Sequence, residues 1–197
     1  MNICLIVWSQ RDESQSLKVA QYLETLLHDQ WVATSMIVLA EHGLPWYDNE
    51  HNPDVTPELR KPYAEKLSKA DGLIVITPEW WGMVPGELKN LFLRCKAGEI
   101  AHKPALITAV SAGTWGAYPV AELRMSSYKN TKICYMPDHL IIRHVNNVLN
   151  HEIAWEDDIR IRARIEKTVA VLLSYTRAFK AIREDTAIDE NPMPQGM

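Results

Sequence analysis

Five short apolar runs recur along the chain, and stretches with helical spacing separate them. The runs are ICLIVW (3–8), VATSMIVL (32–39), GLIVIT (72–77), ALITAV (105–110) and a fifth inside KICYMPDHLIIRHV (132–145), with Pro137 at a possible break. A continuous run of this length reads as a strand covered on both faces. Between the runs, 14–29 places Leu17, Ala20, Leu23 and Leu27 on one helical face. Further helices are expected over 57–70, where Pro62 blurs the start, over 86–95, and near 117–128. The last helix is the clearest, with Ile161, Ile165, Val169, Leu172, Tyr175, Phe179 and Ile182 stepping by threes and fours.

Strands that alternate with helices make a parallel sheet covered on both faces, and right-handed crossovers leave few ways to wind it. Five strands predict an α/β, flavodoxin-like three-layer sandwich with strand order 2-1-3-4-5. One domain over residues 1–184 is expected, followed by a flexible tail, 185–197, that carries Pro192 and Pro194. In such a sheet a ligand lies beyond the carboxyl ends of the strands. The loops after strands one, three and four, SQRDESQS, PEWWGMVPG and SAGTWGA, should therefore converge.

The bulk properties bound the function. The 197 residues carry a net charge of −4, which argues against a nucleic-acid partner. Cys4, Cys95 and Cys134 have no CxxC spacing and suggest a reducing compartment. The N-terminus lacks a basic leader region, and no apolar stretch is long enough to span a bilayer. A cytoplasmic location without membrane contact is expected. The seven histidines are scattered with no HExxH pair, so no metal site is predicted. Cys95 reads as a buried or idle thiol, and Asp48 and Asp54 as surface turn residues.

The first loop offers hydroxyls at Ser9, Ser14 and Ser16, the Gln15 amide and the Arg11 cation, and it runs into a helix N-terminus. Free N–H groups and the helix dipole favour an anion there. The plainer alternative is that Ser14 only caps the helix while Arg11 pairs with Asp12 or Glu13. GxxxxGK[ST] and GxGxxG are both absent. Trp80, Trp81 and Trp115 lie in the other two loops, and Trp46 lies in the loop after strand two. Flat rings at that edge suit a planar ligand, although for any one ring alone a subunit interface or the underside of a loop is the better reading. A phosphate cradle, flat rings and glycine-containing loops at one edge together predict flavin mononucleotide (FMN).

The stretch TPEWWGMVPGELKN resembles the T-P-E-Y-N-x-x-x-P-G-x-L-K-N segment of the NADPH-dependent FMN reductase family, with matches at Thr77, Pro78, Glu79, Pro85, Gly86, Leu88, Lys89 and Asn90. WSQRDESQS resembles the family's G-S-x-R-x-x-S-x-N phosphate loop at Ser9, Arg11 and Ser14. The likeness covers roughly residues 1–130. It implies a flavodoxin-like oxidoreductase in which Ser9, Arg11, Ser14, Gln15 and Ser16 surround the FMN phosphate. Pro78, Glu79, Trp80, Trp81 and Gly82 would line the ring, and Ser111 and Gly113 its other edge. NADPH or NADH would be a transient co-substrate, a small acceptor such as free flavin or a quinone would take the electrons, and the chain would form a homodimer or homotetramer. No side chain need act as catalytic acid or nucleophile, since the flavin carries the chemistry.

Four departures from the pattern stand out. Trp8 replaces a glycine, Ser16 an asparagine, and Trp81 the asparagine after the aromatic position. The arginine after the fourth strand is absent or displaced to Arg124. Two alternatives stay open at this level. One is a flavin carrier or sensor without nicotinamide turnover, and the other is an interaction protein that uses the same scaffold without flavin.

Overall fold

The structure is a computed structural model and describes residues 1–8, 14–39, 44–47, 57–153 and 155–185. The elements run β1 (Asn2–Val7), α1 (Gln15–Asp29), β2 (Ala33–Val38), α2 (Pro57–Lys69), β3 (Gly72–Pro78), α3 (Gly86–Arg94), α4 (Ala97–Ile100), β4 (Pro104–Val110), α5 (Ala117–Ser126), β5 (Cys134–Ile142), a 3-10 turn (Val145–Asn147) and α6 (Glu156–Asp185). All strand pairs are parallel and the sheet order is β2-β1-β3-β4-β5, so the predicted topology is borne out. The tail after Asp185 lies outside the described residues, as do Asp48 and Asp54.

Side-chain alternation in β1 shows how the layers form. Ile3, Leu5 and Val7 pack toward α1 and α6, against Val19, Leu23, Leu27, Ile165, Val169 and Leu172. Cys4, Ile6 and Trp8 face the opposite layer, where Tyr63, Leu67, Leu88, Leu91, Val120 and Leu123 come from α2, α3 and α5. Burial on both faces is the reason the central strands read as unbroken apolar runs. The last helix is longer than the sheet is wide, and Ile182, expected on its apolar face, is exposed.

Pro137 does not end β5. Ala105 pairs with Tyr135 and Ile107 with His139, so β5 carries extra residues in a bulge around Pro137. A proline has no N–H to give a ladder, and an edge-strand bulge tolerates it. Arg124 donates to the carbonyls of Met136 and Pro137 and so satisfies the bulge. This corrects one expectation: Arg124 holds β5 from the last turn of α5, away from the loop that follows β4. In α2, Pro62 lies inside the helix. The last carbonyls of that helix are met by Lys103, whose buried ammonium donates to Leu67 O at 2.6 Å and Ser68 O at 3.3 Å. Desolvation, with Arg183 nearby, lowers the Lys103 pKa to about 8.

Candidate functional site

Trp8 follows the end of β1 at the site edge. Its ring is buried and meets Trp80 edge-to-face at 4.4 Å, and its Nε1 donates to Glu87 Oε2 at 3.1 Å. The large side chain that replaces glycine here is therefore turned into the α2/α3/α5 layer, beneath Trp80. Ser9 and Arg11 lie outside the described residues. Ser14 is the N-cap of α1, its Oγ accepting from Leu17 N at 3.4 Å. Ser16 is buried, and Gln15 Oε1 is a buried oxygen with no hydrogen-bond partner among the described residues. An unpaired polar atom of this kind is costly unless something else meets it.

After β3 the chain makes a tight two-residue hairpin. Trp80 and Met83 exchange both backbone hydrogen bonds, at 3.1 and 2.9 Å. The turn residues Trp81 (φ 53°) and Gly82 (φ 73°) are both left-handed, the signature of a type I′ turn, which prefers Asn-Gly. Trp81 is 96% exposed, so its indole gains almost no packing to offset that conformation. Trp81→Asn is expected to raise the unfolding free energy by about 1 kcal/mol, measured by urea titration of the flavin-free protein. A loss of stability would show that the indole packs on its own chain.

The polar residues of the TPEWWGMVPGELKN stretch tie this hairpin down. Pro78 is the last residue of β3, and Glu79 follows it. Glu79 Oε2 accepts from Gly116 N at 2.7 Å and Tyr118 N at 3.3 Å, so one carboxylate orders the loop after β4 and meets orphan donors at the start of α5. Glu122 of α5 returns the connection, accepting from Val84 N at 2.7 Å and pairing with Lys89 at 2.6 Å. Buried Asn90 accepts from Tyr47 N and donates to Leu44 O and Pro45 O, gripping the described part of the loop after β2. Trp46 lies over Gly86, where an added Cβ would meet its ring at 3.1 Å.

The loop after β4 completes the edge. Ser111 Oγ accepts from Gly113 N at 3.2 Å, and Gly116 is left-handed with φ 116°. The chain leaving β5 adds bonds from His144 N to Gly113 O and from Val145 N to Ser111 O. Lys18, in α1, donates to Val145 O and Val148 O, linking α1 to the same corner. The structure thus gathers the start of α1, the β3 hairpin and the loop after β4 at one end of the sheet. Arg143 also reaches this edge, its Nε donating to Trp115 O at 3.2 Å. Arg143 belongs to none of the loops after strands one, three and four, so the sequence of those loops does not point to it. Arg143 closes the apolar run LII at the carboxyl end of β5, and that position was the available signal.

Other chemistry finds little support at these residues. Among the described residues no group of three or more His, Cys, Asp or Glu side chains is placed to hold a metal ion. Burial pushes the Cys95 thiol far above its ordinary range, with Glu99 adding to the effect, so the reactive thiolate is disfavoured. No helix among the described residues is long and apolar enough to cross a membrane.

Sheet order and ligand edge together define an open α/β protein of the flavodoxin-like class. The chain belongs to the NADPH-dependent FMN reductase family, whose profile matches residues 1–147. It is 31% identical over 90 residues to a 2-hydroxy-1,4-benzoquinone reductase of Burkholderia sp., covering 46% of this chain and 47% of that protein. A quinone reductase of Pseudomonas putida is 29% identical over 121 residues, 59% of this chain and 63% of that one. The chain thus spans about half to under two thirds of the length of these two relatives. An NADPH azoreductase of Bacillus sp. strain OY1-2 is 23% identical over 96% of this chain and all of its own. Among solved structures, the flavoenzyme NAD(P)H:(acceptor) oxidoreductase FerB of Paracoccus denitrificans superposes with a TM-score of 0.72 at 20% identity, covering 90% of this chain and 98% of that one.

Proposed function

We propose that this chain is an FMN-dependent NAD(P)H oxidoreductase that passes reducing equivalents to a small acceptor such as a quinone or free flavin. Bound FMN would accept a hydride from the nicotinamide and hand the electrons on. The observation that carries the reading is the Glu79 bridge. One carboxylate holds the hairpin after β3 and the loop after β4 as a single ordered edge, at the same end of the sheet as a helix start whose buried Gln15 amide oxygen has no partner among the described residues. A ligand with a phosphate, a polyol and a flat ring system fits that set. The α1 N-terminus, with Ser14 and Ser16, suits the phosphate, and a ribityl hydroxyl suits Gln15. Ser9 and Arg11 are proposed to complete the phosphate cradle.

Pro78, Glu79, Trp80, Trp81 and Gly82 supply one wall for the ring, and Ser111 and Gly113 the other. Both loops leave room for it. A Cβ added at Gly82 would meet nothing within 4 Å, and one at Gly113 only Trp115, at 3.9 Å. Side chains exposed around the edge, including Trp81, Met83, Trp115 and Tyr118, suit a homodimer or homotetramer contact beside it. The chain is taken as one FMN-binding domain acting in the cytoplasm.

Titration of the purified protein with FMN tests the reading, followed by NADPH oxidation with a benzoquinone acceptor. Saturable quenching of flavin fluorescence and quinone-dependent oxidation are expected. FMN binding without oxidation would leave a flavin carrier, and no FMN binding would overturn the proposal.

A further inference from the structure

A cavity opens beside the proposed flavin edge, apart from the residues assigned to the flavin. It has a volume of about 430 Å³ and lies between the end of β5 and the start of α6, lined by Ile141, Arg143, His144, Asn147, Trp155 and Ile161 among others. We propose that this cleft holds the adenosine end of the nicotinamide co-substrate, with Arg143 binding the 2′-phosphate and Trp155 stacking on the adenine. The inference rests on the oxidoreductase reading and supplies the determinant of NADPH over NADH that it lacks.

The cleft shares a wall with the loop after β4, because Ile141 lies against Gly116, where an added Cβ would meet Ile141 Cγ2 at 2.5 Å. His144 N bonds Gly113 O at 3.0 Å, and Arg143 Nε bonds Trp115 O at 3.2 Å. A dinucleotide with its nicotinamide at the flavin edge has its other end roughly one nucleotide away, and a cavity of this size is in the range that suits such a group.

The bond to Trp115 O uses one N–H of the guanidinium and fixes its plane. The four remaining N–H groups have no other partner among the described residues. A planar fork held by its Nε is suited to two-point recognition of a phosphate. The exposed Trp155 indole offers a flat wall to a purine. Asp157 also lines the cleft, but Arg160 pairs with it. The first turn of α6 is acidic at Glu156, Asp157 and Asp158, so the anion belongs on the β5 side.

The walls are also held in place. Asp158 accepts from Leu149 N, and Lys18 binds the carbonyls of Val145 and Val148. This corner therefore needs little ordering when a ligand arrives.

The test is calorimetric titration of FMN-saturated wild type, Arg143→Ala, Arg143→Lys and Trp155→Ala with adenosine 2′,5′-bisphosphate and with ADP, alongside steady-state kinetics with NADPH and NADH. Wild type should bind the bisphosphate tighter than ADP, in competition with NADPH. Arg143→Ala should weaken the bisphosphate by about tenfold or more, leave ADP nearly unchanged, and cut the NADPH/NADH ratio of kcat/KM by a similar factor. Arg143→Lys should restore part of the loss, and Trp155→Ala should weaken both ligands. Equal bisphosphate affinity in Arg143→Ala overturns the proposal, as does binding that does not compete with NADPH. The FMN titration is read separately. If wild type takes no FMN but binds the bisphosphate through Arg143, the cleft stands as a nucleotide site and the redox reading falls.

Discussion

Gly116→Ala is expected to lower the unfolding free energy by about 3 kcal/mol and to weaken FMN binding at least tenfold. Two costs coincide at this residue. Its φ of 116° is one that L side chains rarely adopt, and a Cβ built there lies 2.5 Å from Ile141 Cγ2. Strain of the first kind costs about 1–3 kcal/mol, and overpacking of the second about as much. The loop has no easy retreat, because Gly116 N donates to Glu79 and the neighbouring Trp115 O accepts from Arg143. Relief would require lifting the loop off β5, which breaks the joined edge that the flavin reading needs. Urea unfolding of the flavin-free protein and a fluorescence titration with FMN check the two halves separately. A change under about 0.5 kcal/mol, the scatter of neutral surface substitutions, would mean that the loop adapts freely.

Asp158→Ala should destabilise the fold by about 3–5 kcal/mol, the range for breaking a buried ion pair from one side. Asp158 is 0% exposed. Its carboxylate accepts from Leu149 N at 2.8 Å and Arg162 Nε at 3.1 Å. Arg162 also donates to Asn150 O and lies over the Tyr22 ring at 5.1 Å. Removing the carboxylate strands a guanidinium whose side chain is only 17% exposed and frees the N–H of Leu149, a residue held at φ 58°. Asp158→Asn keeps an acceptor for Leu149 and should cost less than alanine. Chemical denaturation of the three proteins gives the comparison. A cost below about 1 kcal/mol for alanine, the worth of an exposed pair, would show that water reaches Arg162.

The edge that carries the candidate site was legible because its placement follows from local rules. Apolar runs mark strands, the spacing of Leu23, Leu27, Ile165 and Val169 marks helices, and parallel winding sends the loops to one edge. What each polar residue does there was not legible. Glu79 bonds amides 37 and 39 residues away. Trp8 answers Glu87 across 79 residues. Arg124, a candidate for the missing loop arginine, holds the β5 bulge, while Arg143 reaches the loop after β4.

Sequence alone determined the order of the elements, the sheet they build and the edge at which its loops meet. Those depend on burial patterns that repeat within a few residues, and they survive without knowledge of any partner. Only the tertiary structure decided which side chains tie the loops together and which arginine reaches the edge. A hydrogen bond forms wherever packing brings donor to acceptor, and distance along the chain carries no trace of it.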